Sequence, residues 1–279
     1  MMNPFSTLSG SISEAVMQTY IIAMFALVVL GTIIDVVHKK SAQYFFENSR
    51  KAKEARIRSL DSAEVRSIVV KTVASDVLTS AEFCNPHRRV AHLLTMYGFI
   101  FFLLATVILV FFYPTSGNAT PWLWSFLWHV GALMVCIGGF WFWFFIRVDV
   151  SAEGNPWYNL VRADLFILSL LATNLFGLLW SITQASGMSL LGGLFLVLFI
   201  LSSLVLFGGV LWSKFAHMFF KPAAAIQKRI AEADGSRDNL PELADRTDPA
   251  SRDRHSMELL RDAPLNMGLG IKREKPQHY

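Results

Sequence analysis

Cysteine and charge are both scarce in this chain of 279 residues. Its two cysteines, Cys84 and Cys136, stand far apart and form no CxxC pair, so the chain cannot by itself supply the four thiolates of an iron–sulfur cluster or a Cys-rich zinc site. Only 16% of the residues are charged, whereas soluble domains contain roughly a quarter. Together with 53% hydrophobic residues and a mean hydropathy of +0.43, this excludes an ordinary soluble domain and predicts an integral membrane protein.

Several sequence signatures of chemistry are also missing. The chain has no paired carboxylates, no nucleophile triad and no glycine loop of the kind that cradles phosphate. The sequence therefore shows no catalytic residues for hydrolysis or phosphoryl transfer. The formal charge of +4 would suit nucleic acid, but the aromatic residues lie inside apolar runs rather than on a basic face. Nucleic acid is therefore excluded as a partner.

Five apolar runs are long enough to form transmembrane helices, which need about 20 residues to cross the lipid bilayer. Each run contains at most one acidic residue and no lysine or arginine; they cover residues 17–37, 90–113, 122–146, 163–182 and 190–212. The sequence predicts an all-α integral membrane protein, a five-transmembrane-helix bundle. Residues 1–16 form its N-terminus, 38–89 a helical connection, and 213–279 a C-terminal tail that is expected to be disordered beyond residue 233.

The basic residues predict the orientation of this bundle. None of the 25 lysines and arginines precedes residue 39; eleven lie between the first and second spans, two flank the third connection and twelve follow the fifth span. Short cytoplasmic connections are rich in Lys and Arg, so we expect the N-terminus outside and the C-terminus in the cytoplasm. The predicted location is a bacterial inner (cytoplasmic) membrane, crossed several times.

The connection between the first two spans contains an amphipathic helix. Asp61 and Glu64 have the spacing of a capping box. An apolar stripe follows at Val65, Ile68, Val69, Thr72, Val73 and Val77. Two interpretations of this stripe are open: it packs on the membrane surface, or it docks a soluble partner. Beyond Pro222, residues 223–233 are also typical of a helix.

Histidines near the predicted cytoplasmic boundary are the candidates for binding a cofactor. Two imidazoles on facing helices can hold a b-type haem without a covalent motif, and His92 and His217 are the candidate ligands of its iron. Arg88 and Arg89 precede His92 on the same helix face and would bind the haem propionates, and Lys214 has a similar relation to His217. The alternative for both histidines is interfacial hydrogen bonding.

The depths of the two histidines do not match directly. His92 lies three residues inside Arg89, whereas His217 lies three residues outside Lys214. If both cations lie at the same level, the offset is about 9 Å at 1.5 Å per residue. A deeper position of Lys214 would remove this offset.

His129 lies in the outer half of the third span. No second histidine is available at that depth, so we expect no outer bis-histidine haem from this chain alone. One interpretation makes His129 a hydrogen-bond and proton partner of a quinone head group, helped by Asn174 or Gln184 of the fourth span. The other interpretation is a structural hydrogen bond to a neighbouring helix.

The residues around His92 resemble a known group of proteins. The local match covers RRVAHLL at 88–94 and YGF at 97–99. With five spans and histidines beside the second and fifth, the chain resembles the haem b membrane subunits of respiratory complexes, such as the gamma subunit of nitrate reductase and the membrane subunit of heterodisulfide-reductase-like complexes. Within this group it is most similar to the membrane anchors of dissimilatory adenylylsulfate reductase. That group carries two histidines on each of these spans, and this sequence has one near each.

The resemblance implies one inner haem b on His92 and His217 and no outer haem. It implies a membrane subunit, rather than a stand-alone enzyme, that anchors a cytoplasmic flavin and iron–sulfur oxidoreductase and passes electrons between it and the quinone pool. In the adenylylsulfate reductase case the partner would convert sulfite and AMP to adenylylsulfate and release two electrons. The alternatives are a haem-free scaffold and a small transporter, which is disfavoured because only Thr173 and Asn174 are polar at the midplane.

Overall fold

The computed structural model of this chain describes residues 2–38, 41–81, 83, 85–117, 119–149, 154–211, 217–237 and 240, with the backbone alone at 41, 42, 44, 211 and 217–220. Over these residues every regular element is a helix and no strand forms, which confirms the predicted all-α class. Five helices in the described part are long and apolar enough to cross a membrane: Glu14–His38, Pro86–Phe112, Trp122–Ile146, Arg162–Ala185 and Ser189–Gly208. The predicted five-helix bundle is therefore also confirmed.

The helices follow one another along the chain with short connections. They are α1 (Pro4–Leu8), α2 (Glu14–His38), α3 (Ser41–Glu54), α4 (Ser62–Thr72), a π-helix (Val73–Leu78), α5 (Pro86–Phe112), α6 (Trp122–Trp141), α7 (Leu165–Ala185), α8 (Ser189–Gly208) and α9 (His217–Ala233). Three shorter turns extend these helices: a π turn after α6 (Phe142–Ile146), a 3₁₀ turn before α7 (Arg162–Asp164) and a 3₁₀ turn after α8 (Gly209–Leu211).

The helix α5 starts earlier than the boundary predicted at residue 90. Asn85 caps it, because its Oδ1 accepts hydrogen bonds from the backbone N–H of His87 at 2.9 Å and of Arg88 at 3.2 Å. Pro86 takes the first helical position, where no N–H is needed. The cap therefore places Arg88 and His92 on the first turns of one continuous helix.

The five long helices form a ring in the order α2, α5, α6, α7 and α8, and α2 closes the ring against α8. The helices α2, α6 and α8 end on the side where α5 and α7 begin. We call this side the basic end, because α3, α4, α9 and the lysines and arginines of the described residues lie there. The other side is called the far end.

Glycines bring α5 and α6 into backbone contact. A Cβ atom added to Gly131 would lie 2.6 Å from the Phe102 nitrogen and 2.7 Å from the Gly98 oxygen. A Cβ added to Gly138 would lie 2.6 Å from the Ala91 oxygen. Small residues permit such close approach in lipid, where burial of apolar surface gives no driving force between helices. This pair is therefore a rigid base for the start of α5.

The short helix α1 covers the far end of the bundle. Phe5 is 5% exposed and packs its ring edge-on against Trp128 and Trp180, at centroid distances of 5.9 and 5.4 Å. Asn3 Oδ1 caps α1, while its Nδ2 donates to the Tyr113 oxygen at 2.8 Å. The first residues of the chain are thus part of the packed bundle.

A second layer of helices covers the basic end. The capping box predicted from Asp61 and Glu64 is confirmed, and hydrogen bonds from Arg58 and from the Asp61 backbone lower the pKa of the Glu64 carboxyl. The helix α4 and the π-helix pack against α9, and Thr72 of the apolar stripe is fully buried. The helix predicted at 223–233 is confirmed as part of α9. The helix α9 therefore covers part of the apolar stripe, which the sequence was expected to place against the membrane surface or a soluble partner.

Candidate functional site

A cavity of about 490 Å³ lies at the basic end, beside the start of α5. We call it the His92 cavity. Its polar rim is formed by Asp76, Arg88, His92, Asp164 and Lys221. Its apolar floor includes Met96, Phe99, Ile100, Ile167 and Leu170. Charged groups at the rim and hydrocarbon below them are typical of a site for an amphipathic small molecule.

Two residues that precede α5 hold the imidazole of His92. Ser80 Oγ lies 3.0 Å from His92 Nδ1. The Phe83 ring lies 4.9 Å from the imidazole ring, tilted by 50°. Since Ser80 engages Nδ1, a cavity ligand of His92 would bind through Nε2.

Ser80 reaches His92 through an irregular backbone. The π-helix Val73–Leu78 continues α4, and Ser80 follows it with a φ of 50°, in the left-handed region that residues other than glycine seldom adopt. Ser80 is buried, and the N–H of Ala81 donates to the Ser75 oxygen at 3.0 Å, which closes the turn. Both π-helices and strained φ values are concentrated at functional sites.

Two cations lie against the Phe83 ring. Arg88 Cζ is 5.6 Å and Lys221 Nζ is 5.1 Å from the ring centroid. Such contacts contribute about 0.5–1 kcal/mol at exposed positions. Because Lys221 belongs to α9 and Arg88 to α5, the ring joins these helices and keeps both cations beside His92.

The two carboxylates of the rim are held in ion pairs. Asp76 accepts hydrogen bonds from Arg229 Nε at 2.9 Å and Nη2 at 2.8 Å. Asp164 accepts from Arg147 Nη2 at 2.5 Å and from the Val161 N–H at 2.9 Å. The other polar residues of the rim are Arg88, His92 and Lys221, whose side chains can all donate hydrogen bonds.

Arg147 organises the connection between α6 and α7. Its side chain has no exposed surface, and its Cζ lies 4.3 Å from the Trp143 ring centroid. Beyond its ion pair with Asp164, it donates to the carbonyl oxygens of Pro156 and Asn159 at 2.7 Å each. The residue thereby fixes the start of α7 and one wall of the His92 cavity.

The structure brings together only some of the predicted haem-site residues. His92 and Arg88 line the cavity, whereas Arg89 donates from Nε to the Thr79 oxygen at 2.7 Å and supports the turn before Ser80. His217 begins α9 one turn before Lys221, but its side chain lies outside the described residues. The whole of Lys214 also lies outside them. The pairing of two imidazoles on one iron therefore stays a prediction.

The three candidates for a quinone site each make structural hydrogen bonds. His129 Nδ1 lies 2.6 Å from the Ser125 carbonyl, which can only accept, so Nδ1 carries the proton and Nε2 accepts from Ser181 Oγ at 2.8 Å. Gln184 donates to the Pro4 oxygen at 3.2 Å and ties α7 to α1. Asn174 is fully buried and donates to the Leu170 oxygen at 2.8 Å. None of the three lines the His92 cavity.

A second cavity, about 520 Å³, lies within the bundle between α2, α5 and α8. We call it the apolar groove. Its lining includes Met24, Val29, Leu103, Leu196 and Phe199, and it shares Phe99 and Ile100 with the His92 cavity. His129, Asn174 and Gln184 do not line it either.

Sequence reasoning missed residues that orient His92 or line its cavity. Ser80, Phe83 and Asp76 lie in a stretch expected only to be helical, and nothing in their spacing indicates a π-helix or a left-handed serine. Phe83 does carry a weak signal, because it stands in the short connection just before Pro86, which opens the helix that bears Arg88 and His92.

Comparison of the chain with protein-family models, with curated proteins and with solved structures gives no match. The fold therefore defines the class of this protein: an all-helical protein with five helices suited to crossing a membrane and a helical layer at one end.

Proposed function

We propose that this chain is the membrane subunit of a respiratory oxidoreductase. It anchors a soluble flavin and iron–sulfur enzyme at the basic end and passes electrons between that enzyme and a quinone bound in the His92 cavity. The resemblance of residues 88–99 to haem b membrane subunits, above all to the anchors of adenylylsulfate reductase, supports this class. It suggests a partner that oxidises sulfite with AMP to adenylylsulfate. The observation that carries the proposal is His92, oriented by Ser80 on the wall of a cavity with hydrogen-bond donors at the rim.

The proposed orientation puts the basic end in the cytoplasm. This agrees with the enrichment of Lys and Arg in cytoplasmic connections. It also puts the His92 cavity on the side where a soluble partner would deliver electrons, with the cavity floor reaching into the hydrocarbon from which a quinone arrives.

The surface of the basic end suits docking of an acidic protein. Lys51, Lys53, Arg56 and Arg66 are exposed there. The apolar side chain of Ile57 is 83% exposed beside them. Complementary charge steers association and fixes the orientation of a complex, while exposed apolar side chains supply contact area.

One b-type haem is compatible with part of this site. His92 supplies an imidazole whose Nδ1 is already oriented by a hydroxyl, as ligating histidines require, and Arg88 and Lys221 are suitable partners for propionates. A second axial ligand would come from His217. A haem bound to His92 and a quinone head bonded to His92 are alternatives, because both need Nε2; when bound, a haem would supply a one-electron carrier.

The first experiment measures the visible spectrum and quinone binding of the full chain in lipid nanodiscs. We expect quinone binding that His92→Gln weakens at least tenfold, and any reduced-minus-oxidised b-haem band should disappear in the same variant. His87→Gln is the matched control, because His87 lies on the same first turns of α5 but outside the cavity lining. Equal binding by the wild type and His92→Gln would contradict the quinone site.

The second experiment is co-purification from native membranes in mild detergent, followed by mass spectrometry. Recovery of a flavin and iron–sulfur enzyme supports the proposal. The same partner with neither quinone binding nor haem would favour the haem-free scaffold. Recovery of the chain alone, with solute flux in liposomes, would favour a transporter and overturn the proposed function.

A further inference from the structure

The His92 cavity and the apolar groove lie along one face of α5. His92, Met96, Phe99, Leu103, Thr106 and Val110 recur at spacings of three or four residues and line one cavity or the other. Phe99 and Ile100 line both. From His92 to Ile100 the helix rises about 12 Å, and from Ile100 to Val110 about another 15 Å. A single elongated molecule could therefore follow this face from the basic end to the far end.

The lining of the apolar groove is almost entirely hydrocarbon. Its hydroxyl groups are already engaged within the bundle: Tyr20 bonds with Ser203 Oγ at 2.7 Å, Thr106 donates to the Phe102 oxygen at 2.7 Å, and Thr173 donates to the Ser169 oxygen at 2.8 Å. A polar head group would lose its hydration in this groove without compensation. An apolar chain has no hydrogen bonds with water to lose on entering the groove.

The groove opens sideways between α2 and α5. Val29 of α2 is 55% exposed and Ile100 of α5 is 47% exposed, although both line cavities. These residues lie at the edge of spanning helices, so the opening faces lipid in a membrane. The junction of the two cavities is thus accessible to a molecule that diffuses within the bilayer.

We propose that the apolar groove binds the isoprenoid tail of the quinone whose head group lies in the His92 cavity. This inference rests on the proposed function and adds the substrate class, a long-tailed quinone. The head meets the donors of the rim, and the tail passes Phe99 and Ile100 and lies against α2, α5 and α8. The shared lining at Phe99 and Ile100 makes the two cavities continuous along α5, as the head and tail of one molecule require.

The test compares two probes with the same naphthoquinone head, one with a single isoprene unit and one with four. Their affinities for the full chain in nanodiscs are measured at equal mole fraction in the lipid, which removes the difference in partitioning. Packing of the tail in the groove should make the longer probe bind about tenfold tighter, equivalent to about 1.4 kcal/mol.

Variants of neighbouring residues on α5 localise the effect. Leu103 lines the groove and Leu104, 47% exposed, lines neither cavity. Leu103→Trp should reduce the affinity ratio of the two probes to near one, and Leu104→Trp should leave the ratio at its wild-type value. Val29→Trp gives a second test on α2, in case Leu103→Trp does not fold.

The outcomes separate the inference from the function on which it rests. Equal affinity for both probes, or an equal effect of Leu103→Trp and Leu104→Trp, would overturn the tail site and leave the quinone head site standing. Failure of both probes to bind would overturn the proposed function. A probe with a diazirine at the tail end should label groove residues of α2, α5 or α8. Labelling of the groove by a diazirine phospholipid that the long-tailed quinone does not displace would also overturn the tail site.

Discussion

Ser80 Oγ lies 3.0 Å from Nδ1 of His92, and this contact joins the turn after the π-helix to the first turns of α5. Ser80 adopts a left-handed φ of 50° to make it. The contact therefore costs backbone strain, and strain of this kind is concentrated at functional sites.

Changing Ser80 tests whether this serine positions His92. Ser80→Gly keeps the left-handed backbone without strain and removes the hydroxyl, so we expect a quinone affinity about tenfold lower, with no loss of thermal stability. Ser80→Asn tolerates the same φ, supplies a polar atom and should restore much of the affinity. The measurement is quinone titration in nanodiscs. Ser67→Gly, on the exposed side of α4, is the control; unchanged affinity in Ser80→Gly would contradict a positioning role.

The buried ion pair of Arg147 and Asp164 predicts a large effect on stability. Removing one partner leaves the other charge buried, which costs about 3–5 kcal/mol. We expect Arg147→Met to lower the thermal unfolding temperature more than Asp164→Asn, because Arg147 also holds the carbonyl oxygens of Pro156 and Asn159. Intrinsic fluorescence during heating measures both.

An exposed ion pair supplies the control for that prediction. Arg50 and Glu54 lie 2.6 Å apart on α3 with side chains 64% and 63% exposed. Arg50→Gln should change the free energy of unfolding by less than about 0.5 kcal/mol. Similar losses of unfolding free energy in Arg50→Gln and Arg147→Met would show that burial does not increase the contribution of the Arg147–Asp164 pair.

The parts of the structure that the sequence predicts are those set by local rules. The five spans follow from the length of apolar run that a bilayer requires, and the start of α4 follows from the capping spacing of Asp61 and Glu64. The position of Ser80 beside His92 depends on a π-helix, which has no comparable sequence signature. Arg147 was expected only to mark a connection, because a single boundary cation gives no sign that its partner, Asp164, will be buried with it.

In the candidate site, too, local spacing predicts some features, whereas contacts between residues far apart in the chain are not predicted. Arg88 and His92, which their spacing places on one helix face, line the same cavity. Lys221 also lines this cavity, and it contacts the Phe83 ring. That contact joins residues far apart in the chain, and sequence periodicity carries no information about it.

The proposed orientation can be tested with single cysteines in a variant that has Cys84 and Cys136 replaced by serine. Ser62→Cys places an exposed thiol at the basic end, and Ser116→Cys places one at the far end. A membrane-impermeant maleimide should label Ser116→Cys in intact cells and label Ser62→Cys only after the membrane is permeabilised. The reverse pattern would place the His92 cavity outside the cytoplasm and contradict docking of a cytoplasmic partner.

The backbone contact of α5 and α6 predicts that Gly131→Ala strongly destabilises the bundle. The new methyl group would lie 2.6 Å from the Phe102 nitrogen and 2.7 Å from the Gly98 oxygen, and backbone atoms cannot rotate away as side chains can. The helices would have to separate, at a cost of about 1–3 kcal/mol or more, measured as a lower unfolding temperature. Gly193→Ala on α8 meets no atom within 4 Å and should instead be neutral or stabilising by up to about 1 kcal/mol. Because Gly98→Ala breaks the same contact, the double variant should lose less than the sum of the single losses, and full additivity would show that the two glycines act separately.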